Sequence, residues 1–277
     1  MSNVEQIEFW NGTAGDRWVL HQEKMDRALA PFGLAALDRL APAAGESIID
    51  IGCGGGTTLL QIAERVSPSG RVLGVDVSRP LLARARERVT HLPNVSLLEA
   101  DAASHVFAEP AAGIFSRFGV MFFAEPEPAF TRLRKALLPD GRIAFVCWQA
   151  FDDNPWFYLP MAVARALLPQ APPPVDYQAP GPFAFASPAR VTSILRGAGF
   201  RRIELEAFRT GVILATEGLE AAVDFSFQIG PVARLIAEQP DELRARIWQR
   251  IAGKFAPLVR DGRVELEGAA WLVTARA

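Results

Sequence analysis

The stretch that decides the fold of this chain reads Ile48-Ile49-Asp50-Ile51-Gly52-Cys53-Gly54-Gly55-Gly56-Thr57-Thr58. An apolar run ends at an acid, passes through four glycines within five residues, and continues into a helical pattern. This order predicts a buried strand that turns sharply into a helix, with a backbone free of Cβ atoms where a ligand comes close. Asp76 ends the next strand-like run, 72–75, where a carboxylate could hold a ribose diol. Together these features predict binding of a nucleoside-containing cofactor.

The composition fits a protein with an extensive core. Half of the 277 residues are hydrophobic, enough for one large domain or one domain with an elaborated cap. The formal net charge of -2 argues against nucleic-acid binding, which usually needs a strongly basic face. Cys53 and Cys147 are far apart and each lies in or beside a predicted buried strand, so we expect no disulfide. No Cys/His cluster has the spacing of metal ligands, and we expect no metal.

Targeting signals are not visible in the sequence. Residues 1–6 lack the basic start and apolar run of a signal peptide. No segment reaches the ~18 uninterrupted apolar residues expected of a membrane span. We therefore expect a cytoplasmic protein without stable membrane insertion.

From residue 48 onward, strand-like and helix-like runs alternate, which predicts an α/β fold with a Rossmann-like, doubly wound, mostly parallel sheet. The predicted strands cover 48–51, 71–75, 95–98, 113–118 and 142–148. The predicted helices between them cover 58–66, 79–89 and 128–138. Late strands near 201–208 and 264–275 bring the sheet to seven, and we expect the C-terminal strand to run antiparallel at or near one edge.

This layout divides the chain into a core with additions on its carboxyl side. Proline-rich and aromatic sequence, including Pro172-Pro173-Pro174, interrupts the regular pattern after Trp148, and a mostly helical stretch follows later. The predicted parts are an N-terminal helical lid (1–47), a cofactor-binding core (48–148), a substrate-cap insertion (149–186), continued core (187–216), a helical cap insertion (217–260) and a C-terminal core strand (261–277).

The residues of the glycine loop indicate which nucleoside cofactor the chain binds. A nicotinamide dinucleotide site has the pattern Gly-x-Gly-x-x-Gly/Ala, and Thr57 would occupy its third small position. Asp50 stands two residues before the first glycine, where an acid would repel a pyrophosphate. The same acid is favourable beside an ammonium or a sulfonium cation. The loop therefore favours S-adenosylmethionine over NAD.

In these residues the chain resembles the class I S-adenosylmethionine-dependent methyltransferases. Four segments in the expected order across residues 48–148 carry the resemblance: Asp50-Ile51-Gly52-Cys53-Gly54-Gly55-Gly56, Gly74-Val75-Asp76-Val77-Ser78, Glu99-Ala100-Asp101-Ala102 and Leu138-Pro139-Asp140-Gly141-Arg142. The resemblance implies that Asp76 binds the ribose hydroxyls and that Asp101 contacts the adenine amino group. Asp140 departs from the pattern, because the family usually has a glycine at that place.

The chain is further similar to a bacterial small-molecule subgroup, the ubiquinone/menaquinone-type or methyltransferase type 11-like enzymes. The shared segments are Phe9-Trp10-Asn11-Gly12, Arg17-Trp18, Ser116-Arg117-Phe118-Gly119-Val120-Met121-Phe122-Phe123, Asn154-Pro155-Trp156 and Gly181-Pro182-Phe183. Where the subgroup begins its fourth strand with a Phe-Asp pair, this chain has Ala112-Gly113.

These motifs supply the candidate site residues. The candidate cofactor-binding residues are Trp10, Trp18, Asp50, Gly52, Cys53, Gly54, Gly56, Thr57, Thr58, Asp76, Val77, Ser78, Asp101, Ala102, Ser116, Arg117 and Phe118. The candidate substrate-binding residues are Phe122, Trp156, Tyr158 and Phe183. His21, beside the predicted lid, is the candidate general base. Trp10 and Trp18 either roof the cofactor or anchor the N-terminal helices, and Asp76 could instead cap a helix.

The predicted function is methyl transfer from S-adenosylmethionine to a small, hydrophobic or aromatic acceptor, with S-adenosylhomocysteine as the product. A nucleic-acid amino-methyltransferase would usually have Asn/Asp-Pro-Pro-Tyr/Phe where this chain has Ser116-Arg117-Phe118-Gly119. Two alternatives stay open: a protein that binds S-adenosylmethionine without methyl transfer, and an NAD-dependent oxidoreductase. The helical insertion could equally form the interface of a homodimer.

Overall fold

The protein is described from a computed structural model, which covers residues 3–170 and 176–277. The prolines 172–174 of the predicted substrate-cap insertion lie outside the described residues. The helices within these ranges are α1 (Asn3–Asn11), α2 (Thr13–Leu20), α3 (Gln22–Leu40), α4 (Thr57–Val66), α5 (Arg79–Val89), α6 (Pro126–Lys135), α7 (Pro155–Leu167), α8 (Pro188–Gly197), α9 (Leu219–Gln228), α10 (Pro231–Ile236) and α11 (Asp241–Phe255). The strands are β1 (Ser47–Ile51), β2 (Arg71–Asp76), β3 (Val95–Glu99), β4 (Ala111–Arg117), β5 (Leu137–Trp148), β6 (Arg201–Ala215), β7 (Val259–Arg260) and β8 (Arg263–Arg276).

One sheet organises the chain, in the order β3-β2-β1-β4-β5-β8-β6, and the short β7 pairs with β8 alone. The pairs from β3 to β5 are all parallel. Side chains of β1 and of the middle of β5 are buried along continuous runs, as expected for parallel strands covered by helices on both faces. The predicted Rossmann-like, mostly parallel sheet is confirmed.

β8 runs antiparallel to both of its neighbours. It pairs with β5 from Arg142–Arg276 to Trp148–Ala270, and it pairs with β6 along nearly the whole of that strand. The antiparallel direction predicted for the C-terminal strand is confirmed. β8 is next to the edge strand, β6, and therefore has a partner on each side.

Two predicted boundaries differ from the structure because pairing extends the strands. β6 continues to Ala215 instead of ending near 208, since Ala215 still pairs with Val264. The third predicted helix ends at Lys135, and β5 begins at Leu137, which pairs with Ala111. An irregularity in this pairing accommodates Asp140, whose φ is 61°.

The strand order places a crevice at the carboxyl edge of the sheet. β2 lies on one side of β1 and β4 lies on the other, so the connections leaving β1 and β4 diverge to opposite sides. Ligands of open α/β sheets bind at this point, where the order of the strands reverses. We call it the switch point. None of the helices in the described ranges is long and apolar enough to cross a membrane.

Candidate functional site

The loops that follow β1 and β4 cross in direct contact at the switch point. Gly52 has φ 69°, and a Cβ on it would lie 2.9 Å from the Cα of Gly119. Ser116 fastens the crossing, because its Oγ donates to the Ile51 carbonyl (2.8 Å) and accepts from the Gly119 amide (3.2 Å). Glycine is therefore required at position 52 for both conformation and space. Ser116, a candidate cofactor residue, holds the two loops together.

The glycine loop, residues 52–56, borders open space beside Asp76. Gly54 has φ 53°, and no atom lies within 4 Å of the place that its Cβ would occupy. The Gly54 amide donates to Oδ2 of Asp76 (2.8 Å), and the Ser78 amide donates to Oδ1 (2.9 Å). Burial raises the pKa of Asp76, while these amides oppose the rise. The carboxylate is thus fixed at the rim of the open space. Gly56, with φ 85°, closes the loop as the cap of α4.

Asp50 is a buried acid with one oxygen unused. Its Oδ2 accepts from the Thr58 hydroxyl, but its Oδ1 has no hydrogen-bond partner in the described part of the chain. Burial raises the pKa of Asp50 to about 7, although the Thr58 hydroxyl and the charge of Arg117 oppose that rise. An unsatisfied buried carboxylate oxygen is costly, so a donor that reaches Oδ1 gains a ready partner.

The end of β2 is tied to the N-terminal helices. Nδ2 of Asn11 donates to the Val77 carbonyl (2.8 Å), and Oδ1 of Asn11 accepts from the Arg79 amide (2.9 Å). The Ser78 hydroxyl donates to the Trp10 carbonyl (2.8 Å). Val77 and Ser78, both predicted to contact the cofactor, therefore position the end of α1 over the carboxyl edge of the sheet.

Three predicted aromatic residues come together above this edge. The ring centroid of Trp10 lies 5.7 Å from that of Trp18 and 5.4 Å from that of Phe122, and both contacts are edge-on. Phe122 lies in a short 3-10 turn that follows β4. The three rings are half-buried. The structure thus joins two candidate cofactor residues and one candidate substrate residue, which are far apart in the sequence, in one group that we call the aromatic roof.

A polar network centred on Asp26 connects α3 to the glycine loop. Oδ1 of Asp26 accepts from Arg117 (2.9 Å), and Oδ2 accepts from Arg88 (3.0 Å), from Nε2 of Gln22 (3.2 Å) and from the Thr57 hydroxyl. Burial alone would raise the pKa of Asp26, but Arg117 and these hydrogen bonds hold it below its ordinary value. Thr57, which stands where a dinucleotide site has its third glycine, is committed to this network.

Sequence reasoning predicted only Thr57 and Arg117 of this network. Gln22 and Asp26 are one turn apart on α3, a spacing that indicates only a shared helix face. Arg88 is one of many arginines in the chain. The sequence therefore carried no specific signal for these three residues.

Aromatic side chains form a second group, which extends from the end of β4 into α7. Phe118 has φ 61°, and its ring stacks on Trp148 at 4.1 Å with an interplanar angle of 13°. Trp148 in turn lies 5.3 Å from Trp156. All members are at most 8% exposed. This aromatic cluster consists of Phe32, Phe118, Trp148, Trp156, Phe157 and Phe183. The contacts of Phe118 are thus made within this cluster.

Tyr158, a candidate substrate-binding residue, lies apart from the buried aromatic cluster that contains Trp156. Tyr158 is 42% exposed, and its ring meets Phe151 edge-on at 5.9 Å at the periphery. Two residues along a helix place side chains on nearly opposite faces, so α7 cannot bury both. Phe183 does join the cluster, 5.2 Å from Phe157.

The end of β3 is closed by a local turn. Oδ1 of Asp101 accepts from the Ala103 amide (2.9 Å), and Oδ2 accepts from the Ser104 hydroxyl (2.8 Å). Ala102, the next residue, is buried. Cys53, in the glycine loop, is also buried, and burial raises the pKa of its thiol well above the ordinary value. These placements put Cys53 and Ala102 among the residues that shape the edge of the sheet by packing.

His21 lies at the junction of α2 and α3. Partial burial, followed by the charges of Lys24 and Arg17, lowers the pKa of its imidazole. The neutral form, which a general base requires, is therefore the dominant one at neutral pH.

The groups at the switch point fit S-adenosylmethionine. Its ribose hydroxyls suit the carboxylate of Asp76, and its ammonium suits the unused oxygen of Asp50. The open space beside Gly54 lets a ligand reach the loop backbone.

The chain is similar in sequence to known methyltransferases. Residues 48–141 match a family described as methyltransferase domain. Nocamycin O-methyltransferase of Saccharothrix syringae is 29% identical over 245 residues, which cover 83% of this chain and 82% of that protein. The 2-phytyl-1,4-naphtoquinone methyltransferase of Thermosynechococcus vestitus is 28% identical over 188 residues, which cover 65% of this chain and 84% of that protein.

Among solved structures, phosphoethanolamine N-methyltransferase 2 of Haemonchus contortus in complex with S-adenosyl-L-methionine has the same fold. The TM-score is 0.59 at 19% identity, and the match covers 97% of this chain and 59% of that one.

Proposed function

The chain is a class I S-adenosylmethionine-dependent methyltransferase, and we propose that its acceptor is a small, largely aromatic molecule bound against the aromatic cluster. The observation that carries this proposal is the continuity of the cluster with the switch point. Gly119 touches the glycine loop at Gly52, and Phe118, the preceding residue, stacks on Trp148. An acceptor that lies against these rings is held beside the cofactor loop.

The chain is divided into a lid, a cap and a core that binds the cofactor. Residues 1–47 form a lid, because α1 is hydrogen-bonded to the end of β2 and α3 to the glycine loop. The described residues of 149–186 form a cap together with residues 217–260, because α7 contributes Trp156 and Phe157 to the cluster and packs against α10 and α11. The remaining segments form the core that binds the cofactor.

The bound cofactor supplies a methyl group already activated by a positively charged sulfur. The protein then has to align the two reactants and keep water away, and orientation alone can lower a barrier by as much as ~7–11 kcal/mol. The aromatic roof excludes water above the sheet edge, and ring faces attract a sulfonium cation. His21 is our candidate base for an acceptor hydroxyl that must lose its proton, because its imidazole is held neutral.

One relative narrows the acceptor class. The Thermosynechococcus protein is named for a naphthoquinone acceptor, a flat fused ring with oxygen substituents. Such a shape complements the stacked rings of the cluster, since aromatic pairs favour offset-stacked and edge-on contacts. We therefore propose that the acceptor is an oxygen-bearing fused-ring compound of the quinone type. We also propose that the enzyme is cytoplasmic.

The test uses S-adenosylmethionine with a deuterated methyl group. The chain is incubated with hydroxylated naphthalenes, with a tricarboxylic acid and with single-stranded RNA, and products are weighed by mass spectrometry. We expect label on the fused-ring compounds alone. Label on the acid or the RNA, or no transfer despite cofactor binding, would contradict the proposal. Transfer itself separates this function from that of a non-catalytic binding protein.

A further inference from the structure

Two buried oxygen atoms that lack hydrogen-bond donors lie beside the glycine loop. They are Oε1 of Gln22 and Oδ1 of Asp50, and neither has a partner within the described ranges. Gln22 is 3% exposed and Asp50 is fully buried. Gln22 begins α3, whereas Asp50 precedes the loop in β1. Two separate elements thus each present an unused acceptor at the same loop.

The orientation of the Gln22 carboxamide is fixed by its surroundings. Its Nε2 donates to the Gly55 carbonyl (3.1 Å) and to Oδ2 of Asp26 (3.2 Å). Reversing the amide would place its oxygen against two other oxygens, so Oε1 must stay on the side without donors. The carboxamide lies close against the loop, because a Cβ on Gly55 would come within 2.1 Å of Nε2.

The charges around these oxygens indicate the kind of group that they bind. The pKa of Asp50 is lowered by the positive charge of Arg117, which is paired with Asp26, and raised by the negative charge of Asp76. An ammonium brings several N–H donors and a positive charge, so it can satisfy both oxygens and offset the negative charge at the loop. The other two groups of the cofactor do not meet both requirements, because a sulfonium has no N–H and the adenine amino group has no charge.

We propose that Gln22 and Asp50 together accept hydrogen bonds from the ammonium of S-adenosylmethionine, so that α3 closes on the amino-acid end of the cofactor. This inference rests on the assigned cofactor and adds a residue of the lid to its site. Gln22 would then bind the cofactor through Oε1 while its Nε2 keeps α3 on the loop.

The test compares two ligands by calorimetry. S-adenosylhomocysteine has the amino-acid end, and 5′-methylthioadenosine has the nucleoside without it. We expect Gln22→Met to weaken S-adenosylhomocysteine by at least about tenfold, as for loss of a hydrogen bond to a charged group, and to change 5′-methylthioadenosine by no more than about twofold. The matched control is Gln249→Met on the exposed face of α11, which should change neither affinity.

Equal weakening of both ligands would overturn the inference, because Gln22 would then only support the loop. Unchanged affinity for S-adenosylhomocysteine would overturn it as well. Failure of the unaltered protein to bind either ligand would instead contradict the cofactor assignment. If Gln22→Met does not fold, as judged by thermal unfolding, Gln22→Asn, whose shorter side chain keeps the amide, replaces it: a loss confined to S-adenosylhomocysteine supports the inference, and any other result overturns it.

Discussion

Asp26 and Arg117 form an ion pair that joins the lid to the centre of the sheet. The guanidinium of Arg117, at the end of β4, lies 2.9 Å from Oδ1 of Asp26 on α3, and both side chains are 14% exposed. Arg88 approaches the other oxygen of the same carboxylate. Asp26 is therefore the one residue of this network that balances two cations near the switch point.

Removing that carboxylate should destabilise the protein. We expect Asp26→Asn to lower the free energy of unfolding by about 2–4 kcal/mol, because two half-buried guanidinium groups lose their counter-charge. Urea unfolding measures the change. Asp38→Asn is the matched control on the same helix, since Asp38 pairs with Arg65 but is 62% exposed, and it should cost no more than about 1 kcal/mol. Similar losses for the two variants would contradict the assigned role of Asp26.

Gly52→Ala should disrupt the crossing of the two loops. The methyl group would approach the Cα of Gly119 to 2.9 Å at a φ that alanine rarely adopts, so we expect a loss of about 2 kcal/mol or more, together with weaker cofactor binding. Gly253→Ala is the control, because a Cβ there meets no atom within 4 Å inside α11. That change should stabilise the helix by about 0.5–1 kcal/mol. Unchanged stability and cofactor affinity in Gly52→Ala would show that the two loops are not in close contact.

Asp76→Ala should weaken nucleoside binding whether or not the ligand has an amino-acid end. The carboxylate accepts from the amide of Gly54, the residue that borders the open space, so we expect at least about tenfold lower affinity for both S-adenosylhomocysteine and 5′-methylthioadenosine. Glu99→Ala is the control and should leave both affinities unchanged. Glu99 ends the neighbouring strand but pairs with Arg79 on the surface. Unchanged calorimetric affinity in Asp76→Ala would refute the ribose assignment.

The raised pKa of Asp50 should make the ligand-free protein less stable as the pH rises. The folded state keeps a proton on this carboxyl up to about pH 7, whereas the unfolded chain loses it near its ordinary pKa. Between those values the folded state binds more protons, so its free energy of unfolding falls with rising pH, by at most about 1.4 kcal/mol per unit.

Asp50→Asn should remove this component. Urea unfolding at about pH 5 and about pH 7 measures it as the difference between the slopes of the two proteins. Identical slopes would show that Asp50 titrates in the folded state as it does in the unfolded chain.

Two neighbouring aromatic residues of α7 should differ in their contribution to acceptor binding. Trp156→Leu removes a ring that is 6% exposed, and we expect it to slow methyl transfer and to lower stability by about 2–3 kcal/mol. Tyr158→Leu alters a side chain that is 42% exposed and should leave stability within about 0.5 kcal/mol. Transfer rates on the same fused-ring acceptor compare the two. Equal transfer rates in the two variants would show that the aromatic cluster does not take part in acceptor binding.

The sequence was most informative where the physical constraint is local. The acid and glycines between Asp50 and Gly56 need to be near one another in the chain to form a tight turn, so their spacing predicted the loop and the strand before it. The alternation of strands and helices predicted the sheet for the same reason. Asp76 follows from both, since it ends the next strand at the same edge.

Contacts between distant segments could not be predicted in this way. Gln22 reaches the Gly55 carbonyl across 33 residues, and Arg117 reaches Asp26 across 91. Neither pair has a sequence spacing that a local rule recognises. Tyr158 shows a related limit: aromatic composition indicates a pocket, but it does not say which side of α7 faces that pocket.

The position of β8 has a consequence for how the molecule is made. β5 and β6 each pair with β8 and not with each other, so β6 has no strand partner in the main sheet until residues 263–276 have been synthesised. Until then β5 and β6 carry open backbone edges, which are prone to pair with other chains. The main sheet can therefore be completed only by insertion of β8 between two strands that have already been made.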